Sequence, residues 1–371
     1  MSVAAAAATA RRDVLIVGGG IAGVEALLAL SDLGDQQLNL HLVAGHPSFV
    51  LRPQTLGEPW GGPPLHVDLE RLCRAFGVRF VTGTVTTVLA DEHVVRTTAG
   101  DALAYDRLLL APGARMALPY AQTRTLGFGA LPETLAGSGD GSVAIVIPPG
   151  TSWTLPAYEL ALLSAGGERK VRVVTDEAFP LEVFGPGTRA ATEALLNRHG
   201  VQVDTGGPPE PGASINHLAG TVIALPLLTG PKIDGVPRDE HDFVPVDTHM
   251  GVPGAEHVSA AGDATRHRIK QGGLAGQQAD VAAAEIVRSF GTPAAQAPYQ
   301  PVLRGKLTAP DGEELFLRRH LNDEDEGQAD PRPLWQPSGA VCAWRLARWL
   351  NHRRGDLDGY TLDHLAQPAH R

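Results

Sequence analysis

Val14–Leu30 reads VLIVGGGIAGVEALLAL, and the order of its residues decides the architecture. The apolar run Val14 to Val17 suits a parallel strand buried on both faces. Glycines end it, and a helical segment with little to break it follows, in which Ala22, Ala26, Ala29 and Leu33 fall near one face. Within the turn, Gly18-x-Gly20-x-x-Gly23 has the spacing of a dinucleotide-phosphate loop. Each glycine has its own reason: Gly18 permits the tight turn, Gly20 leaves room for a pyrophosphate, and Gly23 lets helix and strand pack closely. The helix start then offers free N–H groups to an anion. A tight packing turn without a ligand is the other reading of the same residues.

Working outward, LNLHLVAG (Leu38–Gly45) predicts the second strand of a βαβ unit with a right-handed crossover. A ribose-binding carboxylate is expected at the end of such a strand, yet this one ends Val43-Ala44-Gly45. Ribose is left to backbone groups or to His46, and no arginine follows Ala44 to mark a 2′-phosphate. HPSFVLRPQTLGEPWGGPP (His46–Pro64) is too rich in Pro and Gly for regular structure and predicts an ordered covering loop. A short helix is expected over 67–76, then two or three short strands, with HVVRTT as an antiparallel piece and RLLLA as a buried strand.

A second α/β block begins at Ser142, with strands expected at 143–147, 171–175 and 201–204, helices at 156–164 and 188–198, and a further strand from Thr221. HVSAAGDATRHRIKQGGLAGQQADVAAAEIVRSF then predicts a strand, a loop and a long Ala-rich helix. The remainder predicts a hairpin around Asp311-Gly312, an acidic loop from Asp323 to Asp330, and a helix at VCAWRLARWL. The fold class is α/β: two Rossmann-like domains with parallel sheets, plus a small C-terminal segment. The spans expected are 10–120, 121–250, 251–295 and 296–371.

A chain of 371 residues with net charge −10 has no basic excess for broad nucleic-acid binding. Only Cys73 and Cys342 occur, without a C-x-x-C pair, so neither a dithiol couple nor a thiolate metal cage can be built within the chain; no metal is expected. MSVAAAAATARR reads as a loose arm and not as a secretory signal. No window reaches the roughly 18 apolar residues of a membrane span. A cytoplasmic chain is expected, with peripheral contact at the inner face of a membrane left open.

VLIVGGGIAGVEALLAL, FVLRP, YDRLLLAPGA and SAAGDATR…KQGGLAGQQAD together resemble the two-dinucleotide-fold, FAD-dependent pyridine nucleotide-disulfide oxidoreductases. Sulfide:quinone oxidoreductases and type II NADH dehydrogenases look nearest, over roughly residues 12–350. The resemblance implies an FAD-binding domain in two parts around an inserted NAD(P)-binding-like domain, closed by the Gly262-Asp263 segment. It implies that Gly18, Gly20 and Gly23 take the FAD pyrophosphate and that Asp263 approaches the ribityl chain. It aims Lys270, Gln271 and Gly272 at the pyrimidine edge of the flavin, and sets Phe49–Pro53 on its substrate side. His46, Arg52, Val85, Ala111 and Gly113 complete the cofactor set, with Pro112 where the family carries threonine. Reduced flavin is negative near N1 and C2, which a helix start and an ammonium stabilise. Asp263 as a simple cap and Lys270 in solvent are the plain alternatives.

In relatives that use NAD(P)H a second Gly-rich loop opens the inserted domain. Here it reads Pro148-Pro149-Gly150-Thr151-Ser152-Trp153: the prolines have no N–H for a phosphate, and Trp153 fills the space of a close-approach glycine. NAD(P)H use is therefore uncertain and a standard site disfavoured, with Trp153 or Tyr158 either stacking on a ring or packing an interface. The sulfide-oxidising relatives need cysteines beside the flavin, and neither Cys73 nor Cys342 is placed for that. The function expected is an FAD-dependent oxidoreductase passing electrons from a small-molecule donor to a quinone or other small organic acceptor. A flavoenzyme for a specialised metabolite with O2 or NAD(P)H as partner, and a decayed flavin-binding protein, are the alternatives. Catalytic candidates are Lys270, His267 and Tyr158, His267 because its charge changes near neutral pH. Arg268, His46 and Arg52 are further acid–base or anion-binding candidates. VCAWRLARWL reads as core packing or a homodimer contact in preference to a bilayer anchor.

Overall fold

The first βαβ unit sets the frame. β1 (Arg12–Val17), α1 (Ile21–Leu33) and β2 (Leu38–Ala44) follow the expected order, and the strands pair in parallel from Arg12↔Leu38 to Val17↔Val43. The structure is a computed structural model and describes residues 11–34, 37–51, 56–60, 65–132, 135, 141–166, 168–336 and 343–353. α1 is largely apolar because it is largely enclosed: Val24, Ala26, Leu27, Leu28 and Leu30 are wholly buried, and Glu25 with them. Each buried leucine contributes roughly 2 kcal/mol.

Where an irregular loop was expected, β3 (Ser48–Val50) and β4 (His66–Asp68) form a short antiparallel pair. The prolines and glycines flank SFV and HVD and do not interrupt them, so both ladders keep their N–H donors. α2 (Leu69–Ala75) starts on Asp68, whose carboxylate accepts the Arg71 N–H. β5 (Arg79–Thr82) joins the first sheet, whereas β6 (Val85–Leu89), β7 (Val94–Thr97) and β8 (Ala102–Ala104) form an antiparallel sheet of their own. β9 (Arg107–Leu110) returns to the first sheet beside β1.

β10 (Arg115–Ala117) leads out to β11 (Arg124–Thr125), β12 (Ser142–Val146), α3 (Leu155–Ser164), β13 (Lys170–Val174), α4 (Arg189–Arg198), β14 (Val201–Asp204) and β15 (Thr221–Ala224). These strands make a second parallel sheet, in the order β11-β15-β12-β13-β14. β16 (Leu227–Thr229) then pairs antiparallel with β10, so the outgoing and returning chains run side by side. Past it, Ile233, Val236 and Val244 already pack with Leu15, Val17 and Leu108 of the first sheet.

β17 (Val258–Ala260) completes the first sheet, β17-β9-β1-β2-β5, and α5 (Gly272–Ser289) lies along α1. The hairpin β18 (Val302–Thr308) and β19 (Glu314–His320) turns at Asp311-Gly312 and lays Leu303, Leu307, Leu315 and Leu317 on the second core. The acidic stretch is not all loop, because Gln328–Asp330 forms β20 on β19. Asp325 makes that possible by accepting the His320 and Gly327 N–H groups across the turn.

α6 (Trp344–Arg353) packs one face on the first core. Leu346, Ala347 and Trp349 are buried in the first core. The buried Glu25 of α1 accepts the Arg345 and Leu346 N–H groups, each at 2.7 Å, capping a helix far away in sequence. The Arg345 guanidinium bonds Asp280 and lies 3.3 Å from Asp32. Core packing is thus the role of this face. No helix among the described residues is long and apolar enough to cross a membrane.

Candidate functional site

The turn between β1 and α1 is built by close approach. Gly18 sits at φ +110°, and a Cβ there would lie 2.0 Å from the Ala111 carbonyl oxygen; one on Gly23 would lie 1.8 Å from the Gly18 oxygen. The turn is held from both sides, by Gly18 N–H to Val43 O and Ala111 N–H to Val17 O, each 2.7 Å. Gly20 is different, since a Cβ there would meet no protein atom within 4 Å. It is the N-cap of α1, with no side-chain cap and no acid in the first turn, so the helix start keeps its positive end for an anion.

The start of α5 abuts the start of α1. A Cβ on Gly272 would reach 2.6 Å from Ile21 Cδ1, and one on Gly262, at φ +76°, would reach 2.9 Å from Ala22 Cβ. The Gly262-Asp263-Ala264 turn is therefore wedged against the first turn of α1, with Asp263 half-buried within it. Gln271 caps α5: its Oε1 accepts the Leu274 N–H at 2.9 Å and its Nε2 donates to Arg304 O at 3.1 Å. That commits its side chain, and its carbonyl takes the Ala275 N–H at 2.9 Å.

Lys270 is only 6% exposed. Its ammonium donates to the Thr265 carbonyl and lies 3.7 Å from the centre of the Phe243 ring. Burial brings its pKa down to about 8, against the pull of Asp263 and Asp239. The lysine expected in solvent on the plain reading is thus an inward one. His267 packs edge-on to Tyr299 at 4.8 Å, and burial, then Lys270, lowers its pKa. Asp263, His267, Lys270, Gln271 and Gly272 all fall in one segment at the paired helix starts.

The other expected residues divide. Ala111 is buried and Gly113 half-buried in the turn after β9. His46 is exposed just past β2. The Val85 side chain packs into the core with Val43 and Val17, so only its backbone can face a ligand. Arg52 and Cys342 lie outside the described residues. Cys73 is buried, and burial pushes its thiol up to about 12, which keeps it protonated and inert.

Tyr158 is not brought to this segment. It is wholly buried in the second core, and its hydroxyl donates to Glu177 Oε2 at 2.6 Å. Its surroundings leave no face for a ring to stack on, which corrects the expectation that placed it among catalytic groups. Thr154 and Thr175 donate to the same carboxylate at 3.0 and 3.3 Å. Burial drives the Glu177 pKa up to about 7, with the bonds from Tyr158 and Thr154 opposing the rise. Thr154 is the N-cap residue of α3, yet its hydroxyl serves Glu177 and not the helix. Glu177 follows the second strand of its βαβ unit, near where a ribose-reading carboxylate belongs. Sequence reasoning missed it, although that position was the available signal. Trp153 leans on Phe184, ring centres 5.8 Å apart, and so packs inward as well.

Residues 12–211 match the family model for pyridine nucleotide-disulphide oxidoreductases. An NADH dehydrogenase-like protein of Mycobacterium tuberculosis is 26% identical over 295 residues, covering 69% of this chain and 73% of that one. A sulfide-quinone reductase of Aquifex aeolicus is 26% identical over 208 residues, covering 50% and 47%. The solved sulfide:quinone oxidoreductase of Aquifex aeolicus superposes with a TM-score of 0.72 at 19% identity, over 92% of this chain and 90% of that one.

Proposed function

The chain belongs to the pyridine nucleotide-disulphide oxidoreductase family, and on that premise we propose that it binds FAD and passes electrons through it to a quinone or other small organic acceptor, without a standard NAD(P)H site and without a cysteine relay. The observation that carries the flavin is the meeting of two helix starts, Ile21 against Gly272 and Ala22 against Gly262, beside a glycine whose missing side chain borders open space. Gly18, Gly20 and Gly23 with the start of α1 would take the pyrophosphate, and Asp263 the ribityl chain. Lys270 and the backbone of Gln271 and Gly272 would face the pyrimidine edge, with His46, Arg52, Val85, Ala111 and Gly113 around the remainder. When bound, FAD supplies hydride or single-electron transfer.

Two features support the absence of a standard nicotinamide site. The loop at 148–149 has no N–H to give a phosphate, and Glu177 spends its oxygens on three hydroxyls inside the second core. The inert Cys73 supports the absence of a thiol relay through that residue. Denaturing the purified protein and identifying the released cofactor tests the flavin. Anaerobic titration with NADH, NADPH and sulfide, followed at the flavin absorbance, tests the rest. Rapid stoichiometric bleaching by NADH would overturn the reading of the second unit in favour of a dehydrogenase like the mycobacterial relative.

A further inference from the structure

Gln278 lies on the inward face of α5 and is 2% exposed. Its Oε1 accepts the Gly262 N–H at 2.7 Å and stands 3.3 Å from the Thr265 hydroxyl. That hydroxyl also reaches the Gly262 carbonyl at 2.9 Å, and the Thr265 N–H donates to the same carbonyl at 3.0 Å. The Thr265 carbonyl in turn takes the ammonium of Lys270. The short turn from Gly262 to Thr265 is thus tied at both ends, and Asp263 is its second residue. Ala22 and Ala275 close on Gly262 from the sides, so the amide decides how the turn sits between the two helices.

Resting on the flavin reading above, we infer that Gln278 is a positioning residue that sets Asp263 for the cofactor by fixing the Gly262–Thr265 turn. An amide fits this role for an electrostatic reason. It supplies a buried acceptor without adding a further negative charge beside Asp263 and the place assigned to the phosphates. A glutamate at 278, kept protonated by its burial, would supply the same acceptor; a leucine would fill the volume and leave the Gly262 N–H without a partner.

The test is a double-mutant cycle on the purified full-length chain, reconstituted with FAD and titrated by flavin fluorescence, with apoprotein melting followed alongside. Q278L is expected to weaken FAD about tenfold in the parent and less than about threefold in D263A, while Q278E stays within about threefold of the parent. Should Q278L fail to fold, Q278N, which draws the amide back by one methylene, goes through the same cycle with the same expectation. Equal losses in both backgrounds, or a Q278E as weak as Q278L, would overturn the inference. A parent that takes up no FAD removes the flavin reading and this inference together, whereas a parent that binds FAD without coupling removes only the inference.

Discussion

Replacing Gly20 by alanine separates the ligand from the fold. The residue adopts φ −81° and ψ −167°, which alanine accepts without strain, and the added methyl meets no protein atom within 4 Å. The loss to folding is confined to the poorer N-cap, about 1 kcal/mol or less, and the melting temperature of the apoprotein should fall by only a few degrees. The cost to a bound pyrophosphate is larger. A methyl on the open side of the turn holds the phosphate off the α1 N–H groups, and losing one charge-assisted hydrogen bond costs about 1.5–3 kcal/mol, or roughly ten- to hundredfold in affinity. Gly23→Ala is the opposite control. Its Cβ would stand 1.8 Å from the Gly18 oxygen where about 3.5 Å is needed, so α1 must leave β1 together with its buried Val24, Leu27, Leu28 and Leu30. That variant should lose several kcal/mol of stability before any ligand is added. Apoprotein melting and FAD titration by fluorescence read the two effects apart. A G20A protein with the parent's FAD affinity would refute the assignment of this turn to the pyrophosphate.

Four further outcomes are expected. Tyr158→Phe removes one donor from the buried Glu177, should cost about 1–3 kcal/mol in urea melts, and should leave flavin reduction unchanged. Because the Glu177 pKa is raised in the folded state to about 7, its contribution is full below the ordinary carboxylate range and is lost as pH rises through 7; melts at pH 5 and 8 should show that fall, and its absence would sink the argument. Arg345→Ala strands Asp32 and Asp280 without their cation, should cost about 3 kcal/mol with a red-shifted tryptophan emission, and should hurt less at acid pH, where these carboxyls protonate. Lys270→Met takes away a buried ammonium; the apoprotein should melt no lower than the parent, while the flavin midpoint potential should drop by about 30 mV, and an unchanged potential would rule out a role in stabilising reduced flavin.

Strand and helix order and the glycine turn were legible in the sequence because they follow from local rules, whereas the interrupted layout came from the resemblance. An apolar run, a helical face and a glycine that must touch the carbonyl of its own turn, as Gly23 does that of Gly18, are each set by neighbours within a few residues. The residues from Asp263 to Gly272 fall together in space because one continuous stretch carries them. What a buried polar group does was not legible. Glu25 and the helix it caps are 320 residues apart, Tyr158 and Glu177 meet only because α3 packs on β13, and Gln278 reaches Gly262 only because α5 lies beside the turn. A carboxylate or amide shut away from water must find donors wherever the packed chain brings them, so its partner is a property of the tertiary contacts and not of its sequence neighbours.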